Sequence, residues 1–346
     1  MPRMFTVGAT PHLRDKTNIP IIMYSVVVAL IPTLIGAVYF FGLNALWIVL
    51  LCVLTSIATE GIIQKLSGKP LTILDGSAVV TGILLAFNLP AGVSWWIPVI
   101  GSFFAISVGK MTFGGLGYNP MNPALLGRVF LLISWPIQMT TTWTYPRGVS
   151  VVDAVTVATP LAILKENIAV LKSHAISPIN DIDKINSAIS QIANLQTSYG
   201  DLFIGKISGC IGETSALLLL IGAFFLLYKR YIGWRIPFSF VGTVAFLTWM
   251  FGGYNGLFSG LWLFRVLSGG LILGAFFMAT DMVTSPITPK GQLIFGIGCG
   301  VITSIIRLYG GYPEGVSFAI LLMNLTVPLI DRYTRPKVFG EVIKRA

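Results

Sequence analysis

Ten apolar runs recur along this chain and leave only one extended polar stretch, from Gln138 to about Gly212. The runs predict helices at Ile21–Phe41, Leu46–Ile63, Ser77–Leu89, Trp95–Val108, Met121–Ile137, Glu213–Tyr228, Pro237–Phe251, Gly260–Thr280, Gly291–Ile306 and Val316–Ile330. A helix crossing a bilayer uses roughly 20 residues, so 346 residues hold about ten spans and one sizeable polar segment. Charge closes the alternatives. Only 10% of residues are charged, against about a quarter in soluble domains, too few to clothe a soluble fold of this size. A hydrophobic content of 55% equally excludes disorder. The fold class is therefore an all-α polytopic membrane protein.

The chain divides into a first membrane repeat (residues 1–137, helices 1 to 5), a polar loop (138–212), a second repeat (213–331, helices 6 to 10) and a tail (332–346). The halves echo each other. Helix 4 leads into Phe113-Gly114-Gly115-Leu116-Gly117 and helix 9 into Tyr309-Gly310-Gly311-Tyr312-Pro313. Gly114 and Gly310 lie 196 residues apart, matching the offset between the two helices. Five helices per half is an odd number, so the repeats are inverted, a pattern common in transport folds.

The net charge of +10 would suggest nucleic acid in a soluble protein. Here it reads as an orientation signal, and no nucleic-acid partner is expected. Fifteen of the 23 Lys and Arg fall on one set of loops and the termini, including Arg14, Lys65, Lys69, Lys110, Lys229, Arg235, Lys290 and Arg335. Three opposing loops (41–45, 89–94 and 252–259) carry none, and the fourth holds only Arg307. The positive-inside rule puts both termini on the inner, cytoplasmic side of the membrane. Helix parity then puts the polar loop on the outer, periplasmic face. The polar start of the chain, Met1–Pro20, has no apolar core of a signal peptide. Cys52, Cys210 and Cys299 are far apart and form no metal or cluster ligand set, and two histidines in polar segments do not bracket a haem.

The polar loop contains Asp153-Ala154-Val155-Thr156-Val157-Ala158-Thr159-Pro160. The bland reading is an amphiphilic loop segment with two spare hydroxyls. A hydroxyl that accepts a phosphoester should be exposed and flanked by small side chains, and Thr159 sits between Ala158 and Pro160. The pattern Asp153-x-x-Thr156-x-Ala158-Thr159 resembles the D-x-x-[S/T]-x-A-T signature at which flavin transferases attach FMN to a threonine. A chance match in a chain this long is on the order of one in a hundred. Val157 departs from the signature, where a glycine is frequent.

Three further segments, Thr10–Arg14, Asp75–Thr81 and Gly114–Ala124, together with the ten spans and the loop position, resemble the RnfD/NqrB family over essentially the whole chain. NqrB proteins usually carry a longer N-terminal extension, so the RnfD branch is the closer resemblance. It implies a membrane flavoprotein subunit of an Rnf complex, which moves electrons between ferredoxin and NAD and couples this to Na⁺ or H⁺ translocation. The implied cofactor is FMN joined to Thr159, with Asp153, Thr156 and Ala158 completing the motif. A second, non-covalent flavin such as riboflavin is a family-level expectation. The implied partners are RnfA, RnfB, RnfC, RnfE and RnfG, a flavin transferase for maturation, and the lipid bilayer. No complete active site is expected on this chain alone, which has no G-x-G-x-x-G after a strand to hold NAD.

Charge inside a bilayer is costly and rarely idle. Arg128 lies about two turns inside helix 5 and either pairs with a carbonyl cluster or steadies an anionic flavin. Arg265 and Arg307 are expected to snorkel to the interface. Asp75 reads as a cap of helix 3. Asp281, at a helix C-terminus, opposes the dipole and calls for a cation nearby. Gly114–Ala124 is either a tightly packed entry to helix 5 or unwound backbone lining a cavity, where Asn119 and Asn122 contact a flavin or an ion. Trp95, Trp96, Trp135 and Trp143 are expected in the interfacial belt. Two other functions compete: an NqrB-type subunit of a Na⁺-pumping quinone reductase, and a solute channel or transporter without redox chemistry.

Overall fold

The computed structural model describes residues 17–146, 158–176, 182–197, 199–213, 215–253 and 256–335. Fifteen helices are found among them: α1 (Ile19–Phe41), α2 (Leu43–Leu66), α3 (Ser77–Phe87), α4 (Trp96–Ile106), α5 (Pro123–Ser134), α6 (Pro136–Thr140), α7 (Pro160–Ile176), α8 (Ile182–Thr197), α9 (Tyr199–Ile204), α10 (Ala216–Tyr228), α11 (Arg235–Phe251), α12 (Trp262–Leu267), α13 (Leu271–Leu273), α14 (Pro289–Tyr309) and α15 (Val316–Tyr333). By length and composition α1, α2, α14 and α15 can each cross a membrane, and five shorter apolar helices accompany them. The fold is all-helical and membrane-spanning.

Equivalent elements of the two halves have equivalent neighbours. In the first half α2 packs on α3 and α4, and α4 on α5; in the second, α11 packs on α12 and α14, and α14 on α15. The first helices of the halves, α1 and α10, meet across the junction. Gly222 permits that meeting, since a Cβ there would collide with the carbonyl oxygen of Ala29. Small residues at such crossings let helix backbones approach where lipid supplies no hydrophobic drive.

The structure departs from the predicted spans at three places. Helix 8 is not continuous. It breaks at Ser268-Gly269-Gly270, where Ser268 is extended and Gly269 has φ +72°, and resumes as α13 and a π-helical turn, Gly274–Met278. Helix 5 stops at Ser134, because a helical Trp135 would clash with the ring of Pro136. The polar loop also has structure of its own in α7, α8 and α9. Leu164, Ile168, Ile192 and Leu202 form a small core there, which rests on Phe264 of α12. Each of these helices buries few apolar side chains, so average hydropathy hid them. Together they cap one end of the bundle.

Candidate functional site

A polar core lies beneath that cap, built where α3 ends. In an apolar surrounding the last carbonyls of a short helix need donors. Here the strand-like turn 209–213 supplies them: Gly212 N donates to Phe87 O at 2.9 Å and Ile211 N to Leu89 O at 3.0 Å. Cys210 Sγ lies 3.3 Å from Asn88 O. Glycine is required at 212, since a Cβ would collide with that of Phe87. Gly212→Ala is expected to lower stability by about 1–3 kcal/mol through overpacking, read as the thermal unfolding midpoint in detergent.

The turn delivers Glu213 to Arg128. Arg128 Nη1 lies 3.0 Å from Glu213 Oε1 and also donates to Asn88 Oδ1, while Nη2 pairs with Glu314 from the loop before α15. Arg128 and Glu213 are buried, and Glu213 Oε2 has no hydrogen-bond partner among the described residues. One arginine thus joins α5, the 209–213 turn and the second half. Arg128 is thus held by two carboxylates and the Asn88 amide oxygen, partners that composition does not reveal. Glu213 and Glu314 were not singled out in the sequence. Their placement in Gly/Pro-rich turns directly before apolar helices was the only signal.

Thr159 belongs to the same core. It precedes α7, and its hydroxyl oxygen accepts from Ala162 N at 3.3 Å, as an N-terminal cap does. The expectation of an exposed acceptor is corrected, because Thr159 is only 6% accessible while Ala158 is exposed. The threonine faces inward, onto a cavity of about 210 Å³ whose walls include Arg128, Met139, Trp143, Ala158, Thr159, Tyr312, Glu314 and Phe318. Trp143 lines this cavity, Trp95 is exposed, and Trp96 and Trp135 pack edge to face at 5.3 Å. The Tyr312 and Phe318 rings are stacked 23° from parallel. Asp153, Thr156 and Val157 lie outside the described residues.

Arg265 and Arg307 do not snorkel. They are 3% and 1% accessible, covered by the cap helices that the sequence did not reveal. Arg307 Nη1 donates to Arg265 O and Nη2 to Ser268 O at 3.3 Å. Arg265 Nη2 reaches Gly252 O at 3.4 Å. Lys165 of α7 donates to Gly310 O, to Tyr312 O at 2.8 Å and to Ile306 O at 3.4 Å. Burial and the nearby Arg265 hold the Lys165 ammonium below the usual lysine pKa.

A second polar network lies at the other end of α3. Lys110, read from the sequence as a loop cation, is instead 2% accessible and 2.8 Å from both oxygens of the buried Glu60. It also donates to Ser77 Oγ at 2.6 Å. Asp75 accepts from Ser77 N at 2.8 Å, close to the capping role expected of it. These groups border a cavity of about 90 Å³ lined in part by Ser77, Lys110, Asn119, Asn122, Tyr231 and Asp281. Asn122 caps α5 through Ala124 N at 3.0 Å and donates to Met278 O at 3.2 Å. Asn119 donates to Met121 O, and its buried Oδ1 has no partner among the described residues. Gly114–Ala124 is thus both a packed helix entry and a cavity wall. Asp281 accepts from Thr284 Oγ1 and Val283 N, with no Lys or Arg paired to it among the described residues.

Comparison with known proteins accords with this architecture. The chain is 49% identical over 335 residues to the D component of the Na⁺-translocating ferredoxin:NAD⁺ oxidoreductase complex of Acetobacterium woodii, covering 97% of this chain and 95% of that protein. It is 45% identical over 337 residues to the D component of the proton-translocating ferredoxin:NAD⁺ oxidoreductase complex of Clostridium ljungdahlii, covering 97% and 96%. The D component of the ion-translocating oxidoreductase complex of Stutzerimonas stutzeri is 42% identical, covering 94% and 93%. Residues 6–340 match a single family description. The chain belongs to the NQR2, RnfD, RnfE family.

Proposed function

We propose that this chain is the membrane flavoprotein subunit of an ion-translocating ferredoxin:NAD⁺ oxidoreductase complex, carrying FMN on Thr159. The observation that carries the reading is that the motif threonine opens α7 on the wall of the cavity that also contains Arg128. The residues present fit the group. The first turn of α7 has no acidic side chain, so a phosphoester on Thr159 would meet the positive end of that helix. Trp143, Tyr312 and Phe318 offer aromatic walls to a planar ring. Asp153, Thr156 and Ala158 complete the transferase recognition motif.

With FAD as donor, the Thr159 oxygen bonds to the flavin-side phosphorus, the anhydride P–O bond breaks, AMP leaves and the hydroxyl proton is released. Bound FMN supplies one-electron steps between partners. Arg128, held by Glu213 and Glu314, gives the cavity a fixed hydrogen-bonding wall, and α7 fixes the attachment point. Electrons enter and leave through the other Rnf subunits (RnfA, RnfB, RnfC, RnfE and RnfG) in the inner membrane, with the cap on the periplasmic side and both termini cytoplasmic. The cavity beside Asn119 and Asn122 suits a second, non-covalent flavin such as riboflavin, because the free Asn119 Oδ1 can accept from a ring N–H. The two relatives quoted first are named for different coupling ions, Na⁺ and H⁺.

Co-expression with a flavin transferase tests the reading. A flavin-fluorescent band on a denaturing gel is expected, abolished by Thr159→Val and kept by Thr156→Ser. A dark wild-type band under those conditions removes the covalent flavin and leaves the non-redox transporter standing. Co-purification with quinone-reductase subunits in place of Rnf subunits assigns the chain to the NqrB type.

A further inference from the structure

Four cations, Arg128, Lys165, Arg265 and Arg307, gather at the capped end of the bundle with two carboxylates, Glu213 and Glu314. Both carboxylates pair with Arg128. The other three cations have no carboxylate within ion-pair distance among the described residues. Each is directed instead at the carbonyls ending a helix: Lys165 at α14, Arg307 at α12 and Arg265 at α11. Terminal carbonyls favour a cation only modestly, whereas desolvating an ion is expensive. Arg265 and Arg307 are also adjacent, and the buried Nε of each has no partner among the described residues. Counting ionised side chains, the core holds a surplus of two positive charges.

The surplus lies next to Thr159. At Gly269 a Cβ would be 3.2 Å from Arg307 Nη2, 3.6 Å from Leu161 Cδ2 and 3.7 Å from Glu314 Cγ. Gly269, Leu161, Glu314 and Thr159 line one small cleft. Lys165 is six residues beyond Thr159 on the same helix, about 9 Å along its axis. Its ammonium also holds the carbonyl of Tyr312, on the opposite wall of the cavity.

We propose that Lys165, Arg265 and Arg307 act as a cationic platform beneath the Thr159 cavity, positioned to stabilise the negative charge of a phosphodiester and of an electron added to the attached ring. This rests on the flavin reading above. A phosphodiester contributes one negative charge and the electron a second, which together match the surplus. The platform raises the electron affinity of the group on Thr159, and each unit charge near 10 Å changes it on the order of tenfold. Tenfold corresponds to about 59 mV for a one-electron couple.

Spectroelectrochemical titration of the intact protein, purified in detergent with flavin attached, tests this. Lys165→Met should lower the one-electron potential by about tenfold in electron affinity, and Lys165→Arg should restore it. Glu314→Gln keeps a hydrogen-bonding partner for Arg128 and removes a negative charge, so it should shift the potential the opposite way. Shifts of opposite sign in the two charge variants support the platform. Unchanged potentials, or shifts of one sign in both with flavin still attached, overturn it. A wild-type band without flavin overturns the parent reading instead.

Discussion

Arg128→Met is expected to cost about 3–5 kcal/mol of stability, the range for removing one partner of a buried ion pair. The substitution leaves Glu213 and Glu314 without their shared cation and strips a donor from Asn88 Oδ1. Methionine fills much of the volume, so the loss is electrostatic rather than a cavity. Arg128→Lys should recover only part, because an ammonium cannot present the guanidinium fork to two carboxylates and an amide at once. Combining Arg128→Met with Glu213→Gln and Glu314→Gln should recover more, since stranded ions then become neutral amides. Thermal unfolding in detergent measures all four proteins. A loss under about 1 kcal/mol for Arg128→Met would contradict the account of a three-way junction.

Lys110→Met should be similarly damaging, about 3–5 kcal/mol, because it strands Glu60 at 1% accessibility. Glu60 keeps one donor, Gln64 Nε2 at 3.0 Å, and Gln64 in turn holds Thr72 at 2.8 Å. The network therefore ties α2 to the turn before α3. The double variant Lys110→Met/Glu60→Met tests what the pair contributes. An apolar pair of similar volume often replaces a buried ion pair at no loss, so the double variant should unfold near the wild-type temperature. If it stays as unstable as Lys110→Met alone, the cost comes from packing and not from a stranded charge.

The spans were legible because their signal is compositional. A bilayer demands apolar length, and runs such as Ile19–Phe41 and Leu43–Leu66 supply it whatever their tertiary neighbours. The break in helix 8 was written in Ser268-Gly269-Gly270, but glycine pairs are too common in a chain with 37 glycines for one pair to mark a break. The cap helices α7, α8 and α9 were not visible, because each buries only a few side chains against the others and against Phe264. That omission propagated. Without the cap, Arg265 and Arg307 looked like charges at a water interface.

Lys110 misled in the same way from the other end. A lysine after a short apolar run reads as a loop cation, and only tertiary contact reveals Glu60, fifty residues earlier, as its partner. At the site itself, the motif named Thr159 while the sequence left open what surrounds it. Arg128, Thr159 and the segment Tyr312–Glu314 reach the cavity from three separate stretches of chain, and Glu213 joins Arg128 from a fourth. Local spacing carries no record of that convergence.

Peptide mass spectrometry of the protein co-expressed with a flavin transferase tests the central claim most directly. The proteolytic peptide spanning residues 148–165 should carry the mass of FMN less water, with fragment ions placing the phosphoester on Thr159. An unmodified peptide, or a phosphoester on Thr156, would contradict it.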